Sequence, residues 1–286
     1  MLSKATSGSE ISFRCPHCLL PLQGDIDDQT IGCTNGHRFD RSRDGYVNLI
    51  VGGRLAGGLA GDDDNMVRAR RAVFDAGLYR PIIDAVAATV TNSTTSTGSK
   101  SVLDVGCGEG SYLDQITSRE GVSGWGIDIS KVAVRLAARR HRQHQYAVAS
   151  CFHLPFADAS FDVVVNVFSP RDFVEMGRVL KPGGLAVVVT PGPHHLAQIK
   201  AMIYDRPRQH PSIDADQSDV ANADMTVLAT HRVQFGLDLG NTSLRRHLLE
   251  MTPFWWSASA AQQLLITQSA TMVDADMVIR TYQSPR

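Results

Sequence analysis

Val102-Leu-Asp-Val-Gly-Cys-Gly-Glu-Gly110 is a short apolar run that ends in three alternating glycines. A strand followed by such a turn lets backbone approach a ligand where a Cβ would collide. The helix predicted next, Ser111–Ser118, offers unpaired N–H groups at its start. A dinucleotide site reads G-x-G-x-x-G, with a diphosphate on that helix. Here the spacing is G-x-G-x-G, over Gly106, Gly108 and Gly110, and Asp104 stands two positions before the first glycine. A carboxylate there suits a cationic cofactor rather than a diphosphate. Asp128 ends the next predicted strand about twenty residues on, where a carboxylate can accept hydrogen bonds from both hydroxyls of a ribose. NAD enzymes use the same device, so Asp128 alone does not discriminate. Cys107 reads as a small space-filling residue.

Strand and helix alternate outward from this loop. Strands are predicted over Ser101–Val105, Gly124–Ile129, Phe161–Val167 and Leu185–Thr190, and helices over Ser111–Ser118, Lys131–His141 and Arg171–Leu180. That order implies a parallel sheet with helices on both faces. Val233–Leu239 and Met277–Tyr282 are candidates for two final strands, with a polar insertion at about 205–225. Upstream, residues from about 62 to 90 read as helical, with Asp62-Asp-Asp64 as cap and Met66, Ala69, Val73 and Phe74 at helical spacing. Gly52–Gly58 and Thr91–Gly98 read as connectors. Leu154-Pro-Phe156 before Phe161-Asp-Val-Val-Val165, and Arg178-Val-Leu-Lys-Pro-Gly-Gly184 before an apolar strand, resemble the approaches to the fourth and fifth strands of Rossmann-like methyltransferases. With the glycine loop, they imply S-adenosylmethionine as cofactor.

Three of the five cysteines cluster near the N-terminus, in Cys15-Pro-His-Cys18 and Cys33-Thr-Asn-Gly-His37. An odd total argues against a disulfide scaffold. Each pair can turn tightly and present two ligands. Three thiolates and one imidazole, from Cys15, Cys18, Cys33 and His37, make the closed shell of a structural zinc site. So polar a segment buries little apolar surface, and metal ligation would supply much of its folding free energy. His17, between two cysteines, would point away. The fold class predicted is α/β: a Rossmann-like class I methyltransferase sheet with a small N-terminal zinc-binding domain.

The 286 residues, 43% hydrophobic, suffice for one large domain and an appendage. A formal net charge of −1 excludes a global positive field. Local basic clusters remain as candidate phosphate contacts: Arg38, Arg41 and Arg43; Arg68, Arg70 and Arg71; Arg135, Arg139, Arg140 and Arg142. Phe254-Trp-Trp256 could stack on a base or seal a pocket lip, though aromatic residues more often fill a core. The opening Met1–Glu10 is polar and lacks a secretion signal's apolar core. No apolar run approaches the roughly 20 residues that span a bilayer, so no membrane partner and a cytoplasmic location are expected.

These residues resemble the bacterial 23S ribosomal RNA (guanine-N1) methyltransferases, a family that includes enzymes linked to macrolide resistance in antibiotic producers. The likeness spans nearly the whole chain: the two metal pairs, Asp44-Gly-Tyr-Val-Asn-Leu49, Gly61-Asp62 leading to Met66-Val-Arg-Ala-Arg-Arg71, Asp75-Ala-Gly-Leu-Tyr-Arg-Pro81, Asp104–Gly110, Leu154-Pro-Phe156, Thr190-Pro-Gly-Pro-His-His-Leu196 and Met251-Thr-Pro-Phe254. Ser150-Cys-Phe-His153 departs from the family's usual Ser-Ser-His. The resemblance implies a zinc-binding RNA-recognition domain over 1–50, a connector with helices over 51–100, and a methyltransferase domain over 101–286. It implies that Tyr79, Glu109, Gly110 and His195 join Asp104, Gly106, Gly108 and Asp128 at the cofactor. The implied partner is a 23S rRNA hairpin loop lining the peptide exit tunnel; whether a homodimer forms is left open. No residue declares itself as the base that takes the N1 proton; Asp172, Glu175 and Asn166–Pro170 are the candidates. The alternatives are a small-molecule methyltransferase with zinc as scaffold, an inactive zinc-ribbon adaptor, and an NAD-dependent reductase.

Overall fold

Strand β4 (Lys100–Val105) carries the decisive loop because Ser101–Val105 are all buried between two packed layers, as a strand of a parallel sheet requires. The structure, a computed structural model, describes residues 11–24, 28–52, 62–92, 99–118, 120–204 and 217–285. Most of both predicted connectors, and residues 205–216 of the polar stretch, lie outside the described residues.

In chain order the elements are a hairpin of β1 (Thr30–Gly32) and β2 (Arg38–Asp40), then β3 (Tyr46–Asn48), α1 (Asp64–Asp75) and α2 (Arg80–Asn92). After β4 come α3 (Ser111–Ile116), β5 (Val122–Asp128), α4 (Lys131–Arg140), β6 (Gln145–Val148), β7 (Phe161–Val167), α5 (Phe173–Val179) and β8 (Leu180–Pro191). The chain ends with α6 (Ala197–Ile203), α7 (Gln217–Asn222), β9 (Thr226–Asp238), α8 (Thr242–Glu250), a 3-10 turn at Pro253–Ser257, α9 (Ala260–Ser269) and β10 (Met272–Gln283). The predicted helical stretch 62–90 is two helices. Asp63 caps the first, accepting the N–H groups of Asn65 and Met66, and Gly77, at φ +75°, separates them.

The large sheet runs β3-β6-β5-β4-β7-β8-β10-β9. Its first six strands are parallel; β10 lies antiparallel to both β8 and β9. Side chains alternate between two cores. In β8, Val187 and Val189 join one, with residues of α1–α4, α6 and α8. Ala186 and Val188 join the other, with α5 and the N-terminal lobe. That lobe packs Phe13, Cys15, Leu22, Ile31, Val47 and Leu49 into the second core beside Leu103, Trp125 and Ile127. It also contributes β3, which pairs parallel with β6 (Tyr46 opposite Tyr146) and makes the sheet's edge. No described helix is long and apolar enough to cross a membrane.

Candidate cofactor cleft and metal centre

The turns after β4, β5, β6, β7 and β8 open at the same end of the sheet, where parallel α/β sheets place their ligands. They line a cleft of about 1420 Å³. The glycine loop forms its floor. Gly106 (φ +79°) accepts no side chain, since a Cβ there would lie 1.9 Å from Ser169 Oγ. Gly110 (φ +90°) is equally confined, with Tyr146 Oη and His141 each 2.9 Å from the position of a Cβ. The N–H groups of Gly106 and Cys107 donate to the Ile127 carbonyl, tying the loop to the end of β5. Asp128 Oδ2 accepts Gly108 N–H (2.9 Å), and Oδ1 accepts Ser130 N–H (2.8 Å).

Asp104 is 1% exposed, and its Oδ2 has no hydrogen-bond partner. Burial, then the charges of Asp128 and Glu109, push its carboxyl up to about 8. Burial also raises Asp128, against the two N–H groups it accepts. Glu109 is buried, with Oε2 on Arg71 (2.8 Å) and Oε1 accepting Ser111 N–H (3.3 Å). Asp104, Asp128 and Glu109 converge on a loop whose Gly106 and Gly110 leave no room for a side chain, an acidic lining that suits a cationic nucleoside, so the residues present fit S-adenosylmethionine. When bound, that cofactor supplies the electrophilic methyl. Tyr79, buried against Phe74 (ring centroids 5.6 Å apart), and His195 line the same cleft. His195 Nδ1 accepts Asp276 N–H (3.3 Å), which leaves the proton of the neutral ring on Nε2. All the predicted cofactor residues thus meet in one region: Gly106, Gly108, Glu109, Asp128, Tyr79 and His195 line the cleft, with Asp104 and Gly110 packed beside it.

The four predicted metal ligands also converge. His37 Nδ1 lies 3.5 Å from Cys15 Sγ, 3.5 Å from Cys18 Sγ and 3.4 Å from Cys33 Sγ, with 3.6 Å between Cys18 and Cys33. Zinc bonded at about 2.3 Å to thiolates and about 2.0 Å to an imidazole needs ligand atoms about 3.5–3.8 Å apart. The donor set therefore fits a closed tetrahedral zinc. His17 stacks on His37 (centroids 4.8 Å apart) and is not among the ligand atoms that converge.

The basic clusters are less free than the sequence implied. Arg68 pairs with Asp64, Arg70 with Asp62, and Arg71 with Glu109 and Asp75. Arg135 and Arg139 meet Asp44, and Arg140 approaches Asp75. Each of these has an acidic partner within 4 Å, and Arg71, little exposed, braces the cofactor loop from a helix some forty residues upstream, which no local pattern reveals. Arg38 and Arg43 on the zinc lobe are exposed. Of the aromatic triplet, Phe254 lines the cleft, Trp255 is buried and Trp256 is exposed. The candidate bases have other work. Asp172 caps α5. Glu175 accepts Leu154 N–H (2.7 Å) and two bonds from Arg178. Burial raises the Glu175 carboxyl, but these bonds outweigh burial and hold it below the usual value. Arg14, Leu19 and Tyr204 also line the cleft, and no motif marked them; Phe168, which lines it too, falls within the candidate segment Asn166–Pro170.

Residues 102–184 match a family model described as "Methyltransferase domain", and residues 13–51 match the zinc ribbon model "RlmA, N-terminal". The chain is 41% identical over 189 residues to the Streptomyces fradiae 23S rRNA (guanine(748)-N(1))-methyltransferase, covering 65% of this chain and 66% of that one. It is 31% identical over 280 residues to YxjB of Bacillus subtilis (strain 168), provisionally named a 23S rRNA (guanine-N(1)-)-methyltransferase, covering 93% of this chain and 96% of that one. Among solved structures, the YcgJ protein of Bacillus subtilis superposes with a TM-score of 0.53 at 14% identity, over 71% of this chain and 99% of that one; this shows the fold alone. A methyltransferase sheet with its cofactor loop, a closed zinc shell and a relative matched along nearly its full length agree: the chain belongs to the 23S rRNA (guanine-N1)-methyltransferase family.

Proposed function

We propose that this protein transfers the methyl group of S-adenosylmethionine to N1 of a guanine in a hairpin loop of 23S rRNA. One observation carries this reading beyond family membership: the cleft is shared. Arg14, Cys15, Pro16 and Leu19 of the zinc lobe line the same cavity as Gly106, Gly108 and Asp128. Its volume of about 1420 Å³ leaves room for a substrate beside the cofactor.

Guanine N1 carries a proton and is a weak nucleophile until that proton leaves. The protein must hold the base outside its stack and align it for transfer. In this reading Tyr79, Asp104, Gly106, Gly108, Glu109, Gly110, Asp128 and His195 hold the cofactor. Glu109, tied to Arg71, contributes charge and loop shape. Cys15, Cys18, Cys33 and His37 hold zinc, and residues 1–50 act as the RNA-recognition lobe, 51–100 as connector and helices, and 101–286 as the methyltransferase domain. The partner is rRNA, and the location is cytoplasmic.

The test is transfer of labelled methyl to protein-free 23S rRNA, followed by reverse transcription. Methylation at N1 blocks Watson–Crick pairing, so a stop at one guanine is expected. No stop, with zinc and cofactor both bound, overturns the reading.

A further inference from the structure

Phe168 follows β7 in a conformation that side chains avoid. Its φ is +52°, in the left-handed region where Cβ crowds the following carbonyl oxygen. Its side chain is 39% exposed, so core packing does not compensate. Neighbours hold the segment in place. Phe168 N–H donates to the Val189 carbonyl (3.0 Å). Asn166 Nδ2 donates to the carbonyls of Val105 (2.9 Å) and Pro170 (3.2 Å). Ser169 closes on Gly106. One face of the Phe168 ring rests on His195, with centroids 5.8 Å apart and planes 25° from parallel. Strain that the surroundings over-determine marks functional positions.

We infer that Phe168 is the plate on which the target guanine stacks once it has left the RNA, lying on the ring face away from His195. This rests on the methyl transfer proposed above. Extruded bases are received by aromatic or apolar side chains, and stacking uses the purine face, leaving the edge that bears N1 free. The Ser169–Gly106 contact sets the plate beside the cofactor loop. His195, fixed by Asp276 N–H, backs the plate on its other side. Among the exposed apolar side chains of the cleft, Phe168 is the aromatic ring next in the chain to Ser169, which meets that loop.

The experiment compares wild type, F168A, F168L and F168W in methyl transfer to full-length 23S rRNA, with cofactor affinity measured by calorimetry. Loss of base–aromatic stacking predicts a fall in kcat/KM of roughly 5- to 150-fold for F168A. F168L should fall with it, F168W should restore most of the rate, and cofactor affinity should be unchanged in all three. Wild-type rates in F168A or F168L, a F168W rate as low as that of F168A, or lost cofactor affinity would each overturn the plate while leaving the functional reading intact. An inactive wild type overturns that reading and the plate with it.

Discussion

Asp104 shows how much of a binding site one carboxyl can carry. Buried beside Asp128 and Glu109, it is pushed up to about 8, against an ordinary value near 4. The protonated form is therefore favoured at neutral pH, and a cation competes with the proton for the site. The sign follows: only the carboxylate attracts a cation, so cofactor affinity should rise as pH climbs through about 8. In folding, the native state keeps this proton from about pH 4 to about pH 8 after the unfolded chain has lost it, so this group's contribution to stability falls as pH rises across that window. Calorimetric titration from about pH 6 to about pH 9 checks the first point. D104N should bind the cofactor about tenfold more weakly, about 1.4 kcal/mol, and with a flatter pH profile. A variant with the wild-type profile would show that Asp104 does not face the cation. The position of Asp104 was readable from spacing. Its lack of a partner was not, because that depends on what β7 and the Asp128 turn place around it.

Among the elements, the zinc lobe behaves as a wall of the cleft. Arg14 N–H donates to the Pro155 carbonyl (2.8 Å), and Phe13 packs on Phe156 (centroids 5.3 Å apart). Both partners belong to Leu154-Pro-Phe156, whose Leu154 and Pro155 also line the cleft. The lobe has little core except what it shares with the sheet, so its ligands act as staples. C33S should lose zinc by atomic absorption. If ligation contributes about 2 kcal/mol to the native state, Tm falls by about 4–8 °C. Zinc loss with an unchanged Tm would make the metal incidental to the fold.

For the molecule as a whole, β3 binds the lobe to the sheet. Pairing between Tyr46–Asn48 and Tyr146–Val148 converts β6 from an edge into an interior strand, and the lobe covers Trp125, Ile127 and Ala147 on the second face. A chain starting at residue 51 would expose both that face and an unpaired strand edge, a template for aggregation. It should elute as aggregate in size-exclusion chromatography and bind a hydrophobic dye. A monodisperse truncated chain with full cofactor affinity would show that the two lobes fold independently.

The sequence by itself determined the cofactor loop, the metal ligands and the alternation of strand and helix that makes the sheet parallel, because each rests on local pattern. Glycine spacing, cysteine spacing and apolar runs such as Phe161–Val167 act over a few residues. Tertiary structure decided what depends on neighbours. Gln145–Val148 is too short and too flanked by polar residues to declare itself, and is a strand because β5 and β3 lie beside it. Arg70 and Arg71 look like phosphate ligands until Asp62 and Glu109 meet them. Phe168 is one member of the candidate segment Asn166–Pro170 until backbone constraints from β4 and β8 hold it beside His195. Local pattern encodes what a segment can bind, whereas charge pairing, edge pairing and strain arise between segments far apart in the chain.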